Sequence, residues 1–238
     1  MVFSEDEMKQ LERFRFSRRR IISPLSIQLN QLHDEGELST YLQLVQQKIG
    51  ARNRVVSASI FIKRYSLFIA IVLYAMSVWN KRLSLSFDQI WMDTDDELEI
   101  WLPTFYFESL VYTTVHGDRD KWRTQMIKHL FAEHLALLIE HLRKITNIPT
   151  LILWENVSIY IIWLYEMLLE ENSFGDLRHQ IYDDFLFIVQ EADGKLFGAY
   201  SQNPLYRFWK GASRIRRTTC CLSYQTVAQS HCKTCPIG

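Results

Sequence analysis

Residues 65–79 form an apolar run with no polar face, bounded by Lys63-Arg64 on one side and Lys81-Arg82 on the other. At about 15 residues it falls short of the roughly 18 to 20 that a membrane span needs. A helix that is hydrophobic all round must instead be covered all round. The chain therefore has to wrap its other elements about this one. Its 238 residues, 48% hydrophobic and 13% aromatic, supply enough apolar surface for such a shell. The expectation is a mainly α domain of the α+β kind with this helix at its centre and no membrane span.

The flanking pattern fills in the shell. Ser4, with Glu7 three residues on, has the form of a capping box and opens a short helix toward Arg13. Arg18-Arg19-Arg20, ahead of Pro24, reads as a solvated connection. Ser39 is placed as the cap of a second helix, with Tyr41, Leu42, Val45 and Ile49 at helical spacing and Gly50 as its stop. Over residues 83–102 the period shortens. Phe87, Ile90 and Met92, then Leu98, Ile100 and Leu102, mark two extended runs about Asp95-Asp96, and Pro103 ends them. That predicts a small antiparallel β-hairpin or sheet.

A long helix follows from Asp118 or Arg119 to Lys144, with Ile127, Phe131, His134, Leu138, His141 and Ile145 on one face. Two histidines at core positions suit either a hydrogen-bonded interior role or proton donation in a substrate cavity, and the interior role is the expected one. His129 and Glu133, one turn apart, read as an exposed pair. Pro149-Thr150 opens another largely buried helix over residues 151–169. Its Glu155 and Asn156 need partners, and Glu155 is expected to meet a basic residue of the C-terminal segment. Asp176 is read as capping the last helix, which runs through Ile181, Phe185, Ile188 and Val189 until Gly194 closes it.

All four cysteines, Cys220, Cys221, Cys232 and Cys235, fall within residues 220–238. Cys232 and Cys235, with two residues between them, form a chelating knuckle whose thiolates can reach one metal. Adjacent Cys220 and Cys221 diverge, and a cluster with more than one metal atom gives them ligand positions on different atoms. Four thiolates suit a 2Fe-2S cluster or a structural zinc. Disulfides fit poorly with an acidic N-terminus that has no secretory leader. After Asp193 there is no acidic residue, while Lys195, Arg207, Lys210, Arg214, Arg216, Arg217 and Lys233 make this end about +7 in a formally neutral chain. Cations there stabilise an anionic centre, and Lys210, Arg214, Arg216 and Arg217 are candidates to attract an anionic substrate. No nucleic-acid motif accompanies them, so nucleic acid is not expected as a partner. Gly-x-Gly-x-x-Gly, P-loop, His-Glu-x-x-His and Cys-x-x-Cys-His patterns are missing, so if the chain passes electrons, a separate reductase or carrier protein must supply them.

The string Arg216-Arg217-Thr218-Thr219-Cys220-Cys221-Leu222-Ser223-Tyr224, with Cys232-Lys233-Thr234-Cys235-Pro236, resembles the C-terminal signature of FhuF-type ferric siderophore reductases. Ser57-Ala58-Ser59-Ile60-Phe61-Ile62-Lys63-Arg64-Tyr65, Trp154-Glu155-Asn156 and Asn203-Pro204-Leu205-Tyr206 resemble the same family and the C-terminal region of IucA/IucC siderophore synthetases. The resemblance implies that all four cysteines ligate a 2Fe-2S cluster, which passes one electron to a bound hydroxamate- or citrate-type Fe3+ siderophore and releases Fe2+. It further implies an external electron donor protein or reductase, and a cytoplasmic location or a peripheral one at the inner face of the membrane. Residues 1–205 are read as the helical reductase domain and residues 206–238 as the cluster-binding segment, together one compact unit. Two other function classes fit the residues: a non-catalytic helical binding module with a zinc tail, and an iron-sulphur electron carrier or sensor.

Overall fold

The computed structural model describes residues 1–209, 211, 217–229, 231, 232 and 235–237. At its centre lies the expected helix, longer than the apolar run that announced it. It is the third helix, α3 (Arg54–Trp79), following α1 (Glu5–Leu11) and α2 (Glu35–Lys48). The Asn53 side chain caps α3 by accepting from the Val56 N–H, and Asn80 ends it in the left-handed region. The added N-terminal turns carry Ser57 and Ser59, whose hydroxyls donate to the Leu42 and Cys221 carbonyls and so enter the interior satisfied. At 26 residues α3 is long and apolar enough to cross a membrane, and so is α6 (Thr150–Glu170). In α3, 83% of the most apolar stretch is buried inside the fold, and in α6, 61%. Protein covers the greater part of both helices, α3 most fully.

The capping box at Ser4 and Glu7 forms as the spacing predicts. The second helix starts earlier than expected, because Asp34 rather than Ser39 accepts from the Gly36 and Glu37 N–H groups. The run Arg18-Arg19-Arg20 is not simply solvated. The Arg20 guanidinium lies 3.5 Å from the centroid of the Trp91 ring, and its Nε donates to buried Asp93 at 2.8 Å.

Among the described residues six short strands make two sheets. β1 (Phe16–Ser17), β2 (Ile27–Gln28), β4 (Ile90–Asp93) and β5 (Thr104–Phe107) form the larger, in the order β1-β5-β4-β2. β3 (Lys81–Leu83) and β6 (Tyr112–Thr114) pair antiparallel beside it. β4 lies where the alternation placed a strand, but its antiparallel partner follows Pro103, with Ile90 opposite Phe107 and Asp93 opposite Thr104. The second expected run forms no strand, and Leu98 and Ile100 face solvent.

The long helix over residues 119–146 is two helices, α4 (Arg119–Leu130) and α5 (Ala136–Thr146), joined by a π-helical turn over Phe131–Leu135. The wider turn rotates the buried face. Ile127, Phe131, His134 and Leu138 are buried as expected, whereas beyond them Leu142 and Thr146 go inside and His141 and Ile145 are half-buried. The last helix, α7 (Arg178–Leu186), likewise passes into a π turn over Phe187–Glu191 and ends before Gly194. Asp176 belongs to the 3-10 segment ahead of α7 and does not cap it. α7 is pinned to α4 by fully buried Asp184, whose carboxylate accepts from Arg119 at 2.8 and 2.7 Å and from Arg123 at 2.9 Å.

Candidate functional site

Buried side chains of α3 and α6 hold the cysteine segment against the domain. Glu155 of α6, 1% exposed, accepts from the Thr218 N–H at 2.6 Å and hydroxyl at 3.0 Å, and from the Thr219 N–H at 2.7 Å and hydroxyl. Arg217 donates to Asn156 Oδ1 at 2.6 Å and to the Thr219 carbonyl at 3.0 Å, with its guanidinium 3.8 Å from Glu155. Asn156 in turn donates to the Ser59 carbonyl and hydroxyl at 2.9 and 3.0 Å, and Ser59 donates to the Cys221 carbonyl at 2.8 Å. Buried Glu155, Asn156, Ser59 and Arg217 thus each find partners, which is the condition for burying an ion pair at all, while Thr218 and Thr219 lie at the edge of the fold. Glu155 meets a basic residue of the tail, as its position in an apolar helix required.

Arg217 is 3% exposed and committed to this clamp, so its guanidinium faces the fold. Lys210, Arg214 and Arg216, the other expected substrate residues, lie outside the described residues.

The segment then runs along the corner between α2 and α3. The Arg52 N–H donates to the Gln225 carbonyl at 3.1 Å, and the Val227 N–H donates to the Ile49 carbonyl at 3.0 Å. Gly50 turns this corner at φ +54, and a Cβ added there would come within 2.0 Å of Val227 Cγ2. Gly50→Ala is expected to lower stability by about 1–3 kcal/mol. It should also release the tail, which faster proteolysis beyond residue 217 would report. An unchanged urea midpoint would mean that this contact does not hold the tail.

The four thiols do not make the expected cluster site. Cys221, buried, donates to Ser223 Oγ at 3.3 Å, lies 3.8 Å from Cys232 Sγ, and accepts from Lys63 Nζ at 3.7 Å. Cys220 accepts from the Leu222 N–H at 3.3 Å, and Cys235 lies 3.3 Å from His231 Nδ1. Among the described residues no group of three or more His, Cys, Asp or Glu side chains is placed to hold a metal ion. The 2Fe-2S expectation is corrected accordingly. The spacing sets which sulfurs are within reach of one another, while the left-handed turn at Leu222 and the pull of Lys63 and Ser223 set where they point. Burial pushes the Cys221 thiol up, but the Lys63 charge, the hydrogen bonds with Ser223 and the Arg217 charge outweigh it, and the thiol titrates below its ordinary value. Cys220 moves the other way, chiefly through desolvation.

A second buried polar line crosses the core away from the tail. Tyr65 hydrogen-bonds His134 Nε2, and His134 Nδ1 lies 2.8 Å from His33 Nε2, with the Phe87 ring stacked on His134 at 3.8 Å. Desolvation keeps Tyr65 a phenol and both imidazoles neutral. The phenol is therefore the donor, His134 carries its proton on Nδ1, and His33 accepts. This is the interior role expected for His134. His141, half-buried, faces Glu35 at 3.7 Å, and the exposed pair His129 and Glu133 forms at 2.9 Å. Among the aromatics near the tail, Trp209 packs edge-on against Phe185, Tyr224 stacks on His231 and Tyr206 is exposed.

No curated protein matches the chain. A family model described as "Ferric iron reductase FhuF-like transporter" matches residues 59–210, more than half of the 238. That span contains Ser59, Lys63, Glu155 and Asn156, the domain side of the clamp, and ends before the cysteines. By this match the chain belongs to the FhuF-like ferric iron reductase family.

Proposed function

We propose that the chain binds a ferric siderophore and promotes its reduction by one electron from a separate donor protein or reductase. Hydroxamate, catecholate and citrate oxygens are hard donors that hold Fe3+ far more tightly than Fe2+. One electron added to the Fe3+ chelate gives Fe2+ and free chelate, and no covalent bond of the chelate breaks. The protein's tasks are to seat the chelate, to balance its charge and to present it to the donor. Lys210, Arg214 and Arg216, outside the described residues, remain candidates by sequence to attract an anionic chelate. A cytoplasmic site of action, or one at the inner face of the membrane, fits a substrate delivered from outside the cell.

The observation that carries this reading is the family match over the α3 and α6 residues that build the clamp. The test is anaerobic reduction of ferric citrate and of a ferric hydroxamate by an NADPH-driven flavin reductase, with a ferrous-specific chromogenic chelator recording release. The full chain should raise the release rate several-fold over donor alone. Equal rates with and without the chain, for both chelates, would remove the reading.

A further inference from the structure

Among the described residues the buried arginines are paired with carboxylates: Arg123 with Asp183 and Asp184, and Arg217 with Glu155. Half-buried Arg20 and Arg119 follow the same rule with Asp93 and Asp184. Arg15 and Arg64 depart from it. Both are half-buried and near enough for their charges to oppose one another, and neither makes an ion pair among the described residues. Arg15 sits in the left-handed region at φ 69, and its guanidinium donates to the carbonyls of Leu102 at 2.8 Å and Pro103 at 3.4 Å. Among the described residues Arg64 reaches the Tyr160 hydroxyl, at 3.5 Å, and its buried Nε has no hydrogen-bond partner.

Two half-buried guanidiniums oppose one another here, eased by the charge of Asp95 on Arg15 but by no carboxylate at ion-pair distance among the described residues, a cost that the paired arginines of this fold avoid. The wall beside them is aromatic. Tyr160 and Trp163 of α6 meet edge to face at 6.1 Å, Trp163 packs on Phe14 at 5.9 Å, and Trp163 is still 40% exposed. Lys63, which precedes Arg64 on α3, donates to Cys221.

We infer that Arg15 and Arg64, walled by Tyr160 and Trp163, form an anion-binding end of the substrate site that takes a carboxylate-bearing ferric chelate. This rests on the proposed function and names the chemistry of its substrate. The forked guanidinium of Arg64, with a free Nε, offers parallel N–H donors to a carboxylate, and the flat indole and phenol faces take the chelate's carbon frame. The bound anion supplies the ion pair that Asp95 makes with neither arginine.

The test titrates the full chain with gallium(III) citrate, a redox-inert stand-in for the ferric complex. Binding is followed by calorimetry and by the fluorescence of Trp163, with W163F as the optical control. Arg64→Ala should raise the Kd by roughly ten- to a hundredfold, the loss of a hydrogen-bonded charge contact. It should also flatten the salt dependence. Arg64→Lys should recover only part of the affinity, since an ammonium cannot fork. Without ligand, Arg64→Ala should melt no lower than wild type, because Arg15 is relieved of its neighbour's charge. A Kd unchanged in Arg64→Ala overturns the assignment. So does displacement of gallium(III) citrate by an equal concentration of inorganic phosphate, which would make the patch a general anion site. If the wild type binds a gallium(III) hydroxamate but not the citrate complex, this assignment fails while the ferric-siderophore reading stands. If it binds neither chelate, both fail.

Discussion

Glu155→Ala is expected to destabilise the protein by about 3–5 kcal/mol, the cost of removing one partner from a buried, fully hydrogen-bonded ion pair. The carboxylate accepts from the backbone and hydroxyl groups of both Thr218 and Thr219 and lies beside the Arg217 guanidinium. Alanine would leave four donors without their acceptor and one buried cation without its counter-charge. Glu155→Gln should cost less but still substantially, because its amide keeps one oxygen and turns an N–H2 toward other donors. Urea denaturation gives the stability change. Limited proteolysis separates release of the tail from loss of the whole fold, since a free tail is cut beyond residue 217 while the helical body resists. An alanine variant within about 0.5 kcal/mol of wild type, in the range of an ordinary surface change, would show that the clamp holds nothing.

The second large effect is acid sensitivity above the range in which carboxylates titrate. His134 is buried neutral, held well below its ordinary value by desolvation and then by the neighbouring His33 and His129. The groups facing it are those two histidines and the Tyr65 phenol, none of them an anion. Its folded pKa is depressed, so its contribution is complete above the unfolded value of about 6.5 and is lost as pH falls below that toward the folded value. Between about pH 6.5 and 5 the unfolded chain binds a proton that native His134 refuses, which lowers stability by roughly 1.4 kcal/mol per pH unit. His33 is shifted in the same direction by burial and by His141, and adds to the slope. Urea midpoints at half-unit steps test this. A stability profile flat from pH 6.5 to 5 would mean that His134 is accessible to protons in the native state.

How much of this was legible beforehand depends on whether a residue's neighbours are local. The central helix was, because a run with no polar face has one soluble solution, and the Gly50 stop and the Ser4 capping box are local too. The hairpin was only half legible. Leu98, Ile100 and Leu102 alternate with acidic residues as a strand would, yet the ladder goes to residues beyond Pro103, whose aromatic side chains reach the core. The π turns at Phe131–Leu135 and Phe187–Glu191 have no sequence signal, and the first displaces His141 from the buried face. At the site, Glu155 was found because a carboxylate in an apolar helix requires a partner. The thiol arrangement was misjudged because spacing gives reach and not direction. Arg15 and Arg64 went unnoticed because the sequence separates them by 49 positions and gives neither a neighbour that marks it as unpaired.

The bond from Ser59 to the Cys221 carbonyl closes 162 residues of chain, and the Glu155 contacts close more than 60. Loop closure of that length is entropically costly until most of the molecule is already ordered, so the cysteine segment has no surface to dock on before α3 and α6 have packed together. During synthesis the thiols emerge after the helical body and are placed after it. The order of events makes assembly of the helical body a prerequisite for fixing Cys220 and Cys221, and a chain that misfolds upstream never positions them.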